Sequence, residues 1–371
     1  MMSKFLWILF TIVTAALLLY LSVTIYKINV HFVPAAGQLT NTKAVNNYLA
    51  RHWAEDDTKI AKNSIYIPTG IYIESLKFVS ADTLRMSGYV WQYYKNDFPK
   101  NIRKGVVFPD AENMKIVKSY KRVENNQEVI GWYFEGTILQ ALDYSKYPFD
   151  HKFIKLRIWP QEFAENLVLT PDLRSYQSTG TTTTFGIDED IFIAGYTIKN
   201  SFFKYSIHQY DTDFGIPSYT QNKKFPELIY VVALQRNAIT TFMVYILPMI
   251  VVIGLGFAMT LIITHKKDDL HLGFNLSNVL RICTMLLFVV LFAHIKLREY
   301  IPSDNVIYLE YIYFIFYMAI IYIVIDAFIV ARTSPDNNKL KFFHYNNNFI
   351  PSLIFLPLIL LFVLIFTLMV F

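Results

Sequence analysis

The stretch 154–159 alternates between apolar and polar positions. Ile154, Leu156 and Ile158 are apolar, and charged or aromatic residues stand between them. This two-residue period is typical of a β-strand with one buried face. We therefore predict a strand here, immediately after a loop that contains a proline.

The same alternation recurs elsewhere in the first two thirds of the chain. The stretches 65–76 and 84–93 alternate and are joined by the turn residues 80–83, so they predict a β-hairpin. Helical spacing of apolar residues at 40–53 predicts a short amphipathic helix. Further strands are predicted at 129–139, 192–198, 203–210 and 228–234. Together these elements suit a sandwich of about eight to ten strands.

Five apolar runs have no such alternation, and each is near the roughly 20 residues needed to cross the hydrocarbon core of a membrane. They are 5–25, 238–263, 276–295, 306–330 and 350–371. We predict an N-terminal transmembrane anchor or uncleaved signal at 1–30 and an extracellular, all-β immunoglobulin-like sandwich at 31–237. A four-helix transmembrane bundle is predicted at 238–371.

Composition and charge support a membrane protein. The 371 residues are 54% hydrophobic and 17% charged, which is too apolar for a soluble enzyme of this length. The net charge of +5 is spread without a dense basic block, so we predict no nucleic acid partner. Lys266, Lys267 and Arg332 fall on one side of alternating spans, and Lys296 and Arg298 lie in the short loop opposite. The positive-inside rule then predicts a multi-pass cell-membrane protein with a cytoplasmic N-terminus and the large domain outside.

The first apolar run has two interpretations. It follows the single early residue Lys4 and has the position of a secretory signal. Its length exceeds a typical signal core, and Pro34-Ala35-Ala36 is a poor cleavage site. An uncleaved anchor is therefore favoured over a cleaved signal.

The loop before the strand at 154–159 has a distinctive tip, in which Tyr147 and Phe149 flank Pro148 and Asp150 adds a carboxylate. Proline fixes the backbone, so this tip is a rigid aromatic knob. Further along, Arg236 stands just before the second apolar run, which contains Tyr245-Ile246-Leu247-Pro248.

These motifs, in this order, resemble the pentameric ligand-gated ion channels of the Cys-loop receptor superfamily. The loop cysteines are missing, and Gln140 and Ile154 stand about where they would fall, which is similar to the prokaryotic branch. The resemblance covers about residues 65–371. The retained N-terminal helix is a departure from the family.

The resemblance implies that the tip lies between the binding domain and the pore. The residues that it implicates in coupling are Tyr147, Pro148, Phe149, Asp150, Arg236 and Glu74. Arg236 is expected to pair with Asp150 or Glu74. The alternative is an arginine that snorkels to lipid headgroups at the end of a span.

The third apolar run has one face with recurring three- and four-residue spacing. It comprises Ser277, Arg281, Thr284, Phe288, Phe292 and Ile295. In five copies around an axis, Phe288 and Phe292 would form an apolar constriction and Arg281 would repel cations. Alternatively, Arg281 snorkels or pairs with Asp268 or Asp269. Glu310 and Asp326 lie near the ends of the fourth run, where we expect water to reach them.

Aromatic residues of the sandwich are candidates for a ligand site. The resemblance implicates Tyr196 on a pocket strand and Tyr219 on a capping hairpin, and Trp91 and Phe214 are further candidates. Such residues bind cationic or aromatic ligands by cation–π contact. The alternative is that they are core residues.

No enzyme motif is present. The eight histidines lack the spacing of metal-binding motifs, and there is no glycine-rich phosphate loop. The acidic turn 188–190 is more typical of a solvated loop than of a calcium site. We predict no catalytic residues, no metal and no cofactor.

The sequence thus predicts one subunit of a pentameric ligand-gated ion channel. An extracellular small molecule or proton would open an axial pore for inorganic ions, in a homo-oligomer embedded in a lipid membrane. Two alternatives remain: a non-conducting membrane sensor with the same architecture, and an envelope binding protein.

Overall fold

The computed structural model describes residues 2–30, 32, 35–51, 64–124, 126–162, 166–209, 211–212, 224–263, 275–301, 303, 305–332 and 345–371. The chain forms two compact units. The first comprises Phe32–Leu142 and His151–Arg236, and the second comprises Met1–His31, Asp143–Asp150 and Asn237–Phe371.

The regular elements are as follows. The helices are α1 (Met2–Val30), α2 (Thr42–Leu49), α3 (Ala238–Ile262), α4 (Leu276–Tyr300), α5 (Tyr308–Arg332) and α6 (Tyr345–Val370). The strands are β1 (Ile65–Phe78), β2 (Thr83–Lys95), β3 (Val106–Val107), β4 (Ala111–Glu124), β5 (Gln127–Leu139), β6 (His151–Pro160), β7 (Leu167–Pro171), β8 (Tyr196–Gln209) and β9 (Lys224–Arg236).

The strands form two sheets that share one apolar core. The five-stranded sheet has the order β4-β5-β2-β1-β7, and the four-stranded sheet has the order β3-β6-β9-β8. Strands β1 and β7 are parallel, and the other neighbouring pairs are antiparallel. Fully buried residues of both sheets, such as Ile71, Phe134 and Leu234, belong to the same core. This is a sandwich-like arrangement, in which alternate residues of each strand face inward.

The predicted hairpin is confirmed, since β1 and β2 pair antiparallel around the turn. The stretches 192–198 and 203–210 were predicted as separate strands, but residues 196–209 form the single strand β8. The polar residues Asn200 and Ser201 interrupt the apolar pattern, yet both are buried. The Asn200 amide donates to the Thr181 carbonyl oxygen at 2.8 Å, and the Ser201 hydroxyl donates to the Phe185 carbonyl oxygen at 2.6 Å. These bonds pair the Asn200 amide nitrogen and the Ser201 hydroxyl, and a register shift between Ile198 and Asn200 lets the strand continue.

Strand β4 was not predicted. It is an edge strand of the larger sheet, and its three lysines and one arginine interrupt the alternation of apolar residues. Charged residues are typical of edge strands, because they prevent pairing with other chains.

The predicted amphipathic helix is present as α2. The Asn41 side chain accepts a hydrogen bond from the Ala44 N–H at 2.8 Å and caps the helix. Val45 and Leu49 enter the apolar core of the sandwich. The predicted helix extended to residue 53, and residues 52–53 lie outside the described part of the chain.

Five helices of the described residues, namely α1, α3, α4, α5 and α6, are long and apolar enough to cross a membrane. Among the last four, α5 has the most buried residues and packs against each of α3, α4 and α6. Gly256 of α3 lies where an added Cβ atom would come within 3.1 Å of Ile323 and 3.3 Å of Phe355. A small residue there allows the three helices to approach closely.

Helix α3 contains a π-helical segment at Phe242–Ile246, just before Pro248. Proline has no N–H, and its ring collides with the carbonyl group four residues earlier in a regular α-helix. The widened segment accommodates Pro248 within the span.

Helix α1 packs against α6, and Phe10 stacks on Phe257 of α3 with ring centroids 5.9 Å apart. Its half-buried positions recur at three- and four-residue spacing and include Trp7, Phe10, Thr14, Leu17, Leu21, Thr24 and Ile28. This is the spacing of a helix-packing seam. Most other large apolar side chains of α1, such as Ile12 and Leu19, are exposed.

Candidate functional site

The tip predicted from the sequence is part of the helical unit. Residues Asp143–Asp150 group with the membrane helices, whereas the flanking strands β5 and β6 belong to the sandwich unit. Two backbone hydrogen bonds fold the segment: Tyr147 N–H donates to the Tyr144 carbonyl oxygen, and Phe149 N–H donates to the Lys146 carbonyl oxygen. Pro148, in a cis peptide bond, is buried between the two aromatic residues.

Tyr147 contacts the beginning of α3. Its hydroxyl lies 3.0 Å from the Thr241 hydroxyl, and its ring centroid is 6.4 Å from that of Tyr245. Tyr147 is 1% exposed and Thr241 is 5% exposed. A buried hydroxyl pair of this kind is costly to leave unpaired, so it fixes the tip on the helix.

Phe149 and Ser145 contact α5 and α6. The Phe149 ring centroid is 6.2 Å from that of Tyr308 and 6.1 Å from that of Phe371. The Tyr308 backbone N–H donates to the Ser145 carbonyl oxygen at 2.8 Å. The first residue of α5 is thus hydrogen-bonded to the tip.

In the same first turn of α5, Glu310 accepts hydrogen bonds from several sides. Arg298 of α4 reaches both carboxylate oxygens, with its Nη2 at 2.7 Å from Oε2. His294 Nε2 lies 3.0 Å from Oε1, and the Ile307 N–H donates to Oε2 at 2.9 Å. Glu310 is 1% exposed, so the carboxylate joins α4 and α5 inside the helical unit.

The expectation that water reaches Glu310 and Asp326 is wrong, because both are buried. Arg298 and His294, which complete the cluster at Glu310, were not recognised as functional residues. The prediction that Lys296 and Arg298 lie in a loop is also wrong, because both lie in the last two turns of α4. The sequence signal was the helical spacing of His294 and Arg298, four residues apart on one face.

The six predicted pore-lining residues are all exposed within the single chain. They are Ser277, Arg281, Thr284, Phe288, Phe292 and Ile295. The buried residues of α4 are Val279, Cys283, Leu286, Val290 and Leu297. The predicted face and the buried face of α4 are thus distinct. Phe288 and Phe292 stack on one another with ring centroids 6.1 Å apart.

Arg281 lies on the exposed face of α4, and its Nη2 donates to the Asn278 side-chain oxygen at 3.3 Å. The alternative partners Asp268 and Asp269 lie outside the described residues. An arginine within a span costs about 2.5–3.5 kcal/mol on translocon-based scales unless it faces water or a partner.

At the base of the tip, Gln140 connects to β6 by two hydrogen bonds. Its Nε2 donates to the Phe153 carbonyl oxygen at 2.9 Å, and the Lys155 N–H donates to its Oε1 at 2.9 Å. These two bonds flank Ile154, which is buried in the sandwich core. The Gln140 amide thus joins the two ends of the loop.

Two predicted residues from different sets are brought together in the sandwich unit. Tyr196 and Arg236 pair across β8 and β9, and the Arg236 Nη2 donates to the Tyr196 hydroxyl. The guanidinium also lies over the Tyr196 ring at 4.5 Å, and this ring stacks on Phe78 at 4.8 Å. Arg236 is 7% exposed. Glu74 is exposed and lies at the register shift between Ile73 and Ser75.

The other predicted ligand-binding residues have different surroundings. Trp91 Nε1 donates to the Asp172 carboxylate at 2.8 Å, and its ring is 5.7 Å from that of Tyr176. Phe214 and Tyr219 lie outside the described residues. Asp150, the last residue of the tip, is 3% exposed.

Elsewhere in the sandwich, hydrogen bonds from Lys104 and Lys121 lower the pKa of the Glu128 carboxyl. Asp188, in the acidic turn, accepts a hydrogen bond from the Tyr72 hydroxyl at 2.9 Å. Among the described residues, no cluster of three or more His, Cys, Asp or Glu side chains could hold a metal ion.

A scan against protein-family models finds no match, and no curated protein matches this chain.

Proposed function

We propose that this chain is one subunit of a pentameric ligand-gated ion channel, in which an extracellular small molecule or proton opens an axial pore. One observation carries the proposal. A continuous set of contacts leads from the tip at Ser145 and Phe149, through Tyr308 and Glu310 of α5, to Arg298 on α4.

In this proposal, movement begins at the tip. It lies between two strands of the sandwich in the sequence, so a strand movement reaches it through the chain itself. Because Tyr147 and Phe149 are held by α3, α5 and α6 within the helical unit, a displaced tip has to move these helix ends. Packed elements of this kind transmit shifts by repacking rather than by continuous deformation.

In this proposal, the movement is transmitted to helix α4. Glu310 holds Arg298 and His294, so movement at the start of α5 reaches the last turns of α4. The opposite face of α4, with Arg281, Phe288 and Phe292, is exposed within the described part of the chain. Five copies around an axis would bury this face. Phe288 and Phe292 of the five copies would form two layers of a constriction, and the five Arg281 side chains would exclude cations.

The two sheets of the sandwich-like unit favour an immunoglobulin-like binding domain. The four helices α3 to α6 favour a four-helix pore domain. The cell membrane, a cytoplasmic N-terminus and an outer sandwich follow from the distribution of lysine and arginine.

The test uses the full chain in oocytes or planar bilayers and does not require the ligand. In Phe288→Ala/Phe292→Ala the constriction is widened, and we expect a standing current. The matched control is Phe314→Ala/Phe362→Ala, which truncates two exposed rings on α5 and α6 and should give no current.

Ion selectivity is tested in the same background. Arg281→Ala should shift the reversal potential in a KCl gradient towards that of a cation-permeable pore, and Arg332→Ala, an exposed arginine at the end of α5, should not. Silence of the phenylalanine variant, with the protein folded and pentameric at the surface, would overturn the channel and leave a non-conducting sensor.

A further inference from the structure

The sandwich unit contains a cavity that is separate from the predicted ligand residues. It lies between α2 and the ends of β1, β2 and β7, with a volume of about 750 Å³. This is within the range of cavities that hold small organic molecules. Its lining includes Asn46, Leu49, Tyr66, Tyr93, Asp172 and Arg174.

The cavity contains a buried carboxylate with one oxygen available. Asp172 is 8% exposed. Both the Trp91 indole N–H and the Ser175 hydroxyl donate to its Oδ2. Among the described residues no donor reaches Oδ1. Trp91 is not among the residues that line the cavity, so its indole holds the carboxylate in place without occupying the cavity.

Aromatic and apolar surfaces surround this carboxylate. Tyr66 and Tyr93 come from neighbouring strands, and an ammonium group is attracted to such rings as well as to a carboxylate. Val45 and Leu49 on the buried face of α2, together with Leu173, provide apolar wall. The cavity thus suits an ammonium group attached to an apolar body.

A positively charged side chain, that of Arg174, also lines the cavity. Arg174 is exposed, two residues after Asp172, and has no ion-pair partner among the described residues. A ligand with only an ammonium group would be repelled by Arg174, and one with only a carboxylate would be repelled by Asp172. A ligand that carries both groups satisfies both charges.

We propose that this cavity binds a small zwitterion with an apolar side chain, such as an amino acid. Asp172 accepts from its ammonium group through Oδ1, and Arg174 pairs with its carboxylate. This binding does not rest on ion conduction, and it is measured without a current.

The experiment is calorimetric titration of the full chain in nanodiscs with three matched probes. L-Phenylalanine carries both charges, phenethylamine lacks the carboxylate, and 3-phenylpropionate lacks the ammonium group. We expect L-phenylalanine to bind at least about tenfold more tightly than either single-charge probe, because each charge-assisted hydrogen bond adds to affinity.

Variants locate the site. Asp172→Asn keeps an acceptor for Trp91 but removes the charge, and Arg174→Gln removes the guanidinium, so each should weaken L-phenylalanine binding about tenfold or more. Arg122→Gln, which changes an exposed arginine on β4, is the control and should bind normally. Asn46→Trp changes an exposed residue of α2 that lines the cavity. It should block binding even if Asp172→Asn fails to fold.

Equal binding of the three probes, or no binding of L-phenylalanine at millimolar concentration, would overturn the proposal. Tight binding of phenethylamine that is lost in Asp172→Asn would also overturn it, since the site would then be one for amines alone.

Discussion

The Tyr147 hydroxyl lies 3.0 Å from the Thr241 hydroxyl, and both residues are buried within the helical unit. The pair joins the tip at residues 143–150 to the first turn of α3. It precedes the π-helical segment at Phe242–Ile246, where the helix geometry is already irregular.

Loss of this contact should lower stability. Tyr147→Phe and Thr241→Val each remove one hydroxyl, and we expect a coupling free energy of about 0.5–1.5 kcal/mol in a double-mutant cycle. Thermal unfolding in detergent measures it. Tyr300→Phe, which removes an exposed hydroxyl, is the control and should change little. Additive single effects would show that the two hydroxyls do not interact.

Removal of the Gln140 side chain should open the base of the loop. In Gln140→Leu the Phe153 carbonyl group and the Lys155 N–H both lose their partner, with an expected loss of about 1–3 kcal/mol. Hydrogen exchange provides the specific measurement, because the Lys155 amide should lose protection while the β6 amides that face β9 keep it. In Gln161→Leu, which changes a half-buried glutamine directly after β6, Lys155 should remain protected. Equal exchange at Lys155 in wild type and Gln140→Leu would contradict the role of the amide.

The cluster at Glu310 should respond asymmetrically to substitution. Arg298→Met leaves the carboxylate buried without its strongest partner, and breaking a buried pair in this way costs about 3–5 kcal/mol. Glu310→Gln should cost less, because the Arg298 side chain is 38% exposed and can reach water. Unfolding of the two variants in nanodiscs measures the difference. The control is Lys296→Met, which breaks the exposed ion pair between Lys296 and Glu299. A larger loss in Glu310→Gln than in Arg298→Met would be the contrary result.

Glu128 should make the sandwich sensitive to acid. Its lowered pKa means that the folded state binds its proton less tightly than the unfolded state. Its contribution to stability is therefore present above the unfolded pKa of about 4.3 and is lost as pH falls through the lower, folded pKa. Glu128→Gln should be less stable than wild type at pH 7, and the gap should narrow as pH falls below about 4.3. Melting curves across this range test it, and a gap that is constant with pH would refute the linkage.

Helix α1 should tolerate a large residue on one side and not on the other. Leu17 lies in the half-buried seam, and Leu18 is 47% exposed. Leu17→Trp should destabilise the protein by about 1–3 kcal/mol through overpacking, whereas Leu18→Trp should have little effect. Thermal stability in nanodiscs compares the two, and equal effects would indicate that α1 does not pack along this seam.

Much of the architecture followed from short-range pattern. The five apolar runs correspond to the five helices that could cross a membrane, because length and hydropathy are properties of a continuous segment. The hairpin of β1 and β2 and the amphipathic helix α2 were likewise predicted from local residues. Strand β4 was missed because an edge strand with three lysines and an arginine has no clear alternation. Strand β8 was split because the polar residues Asn200 and Ser201 are buried and donate to distant carbonyl groups.

The candidate functional residues also divide into those predicted from local pattern and those found only in the tertiary structure. The sequence by itself determined that Tyr147 and Phe149 form an aromatic tip and that Ser277 to Ile295 contains one distinct face, since both depend on proline geometry and helical periodicity. Only the tertiary structure decided that Gln140 closes the loop base, that Tyr196 holds Arg236, and that Glu310 is buried with Arg298 and His294. Each of these is a hydrogen bond or ion pair between segments 12 or more residues apart. Their formation depends on how the chain folds back on itself, which local residue pattern does not encode.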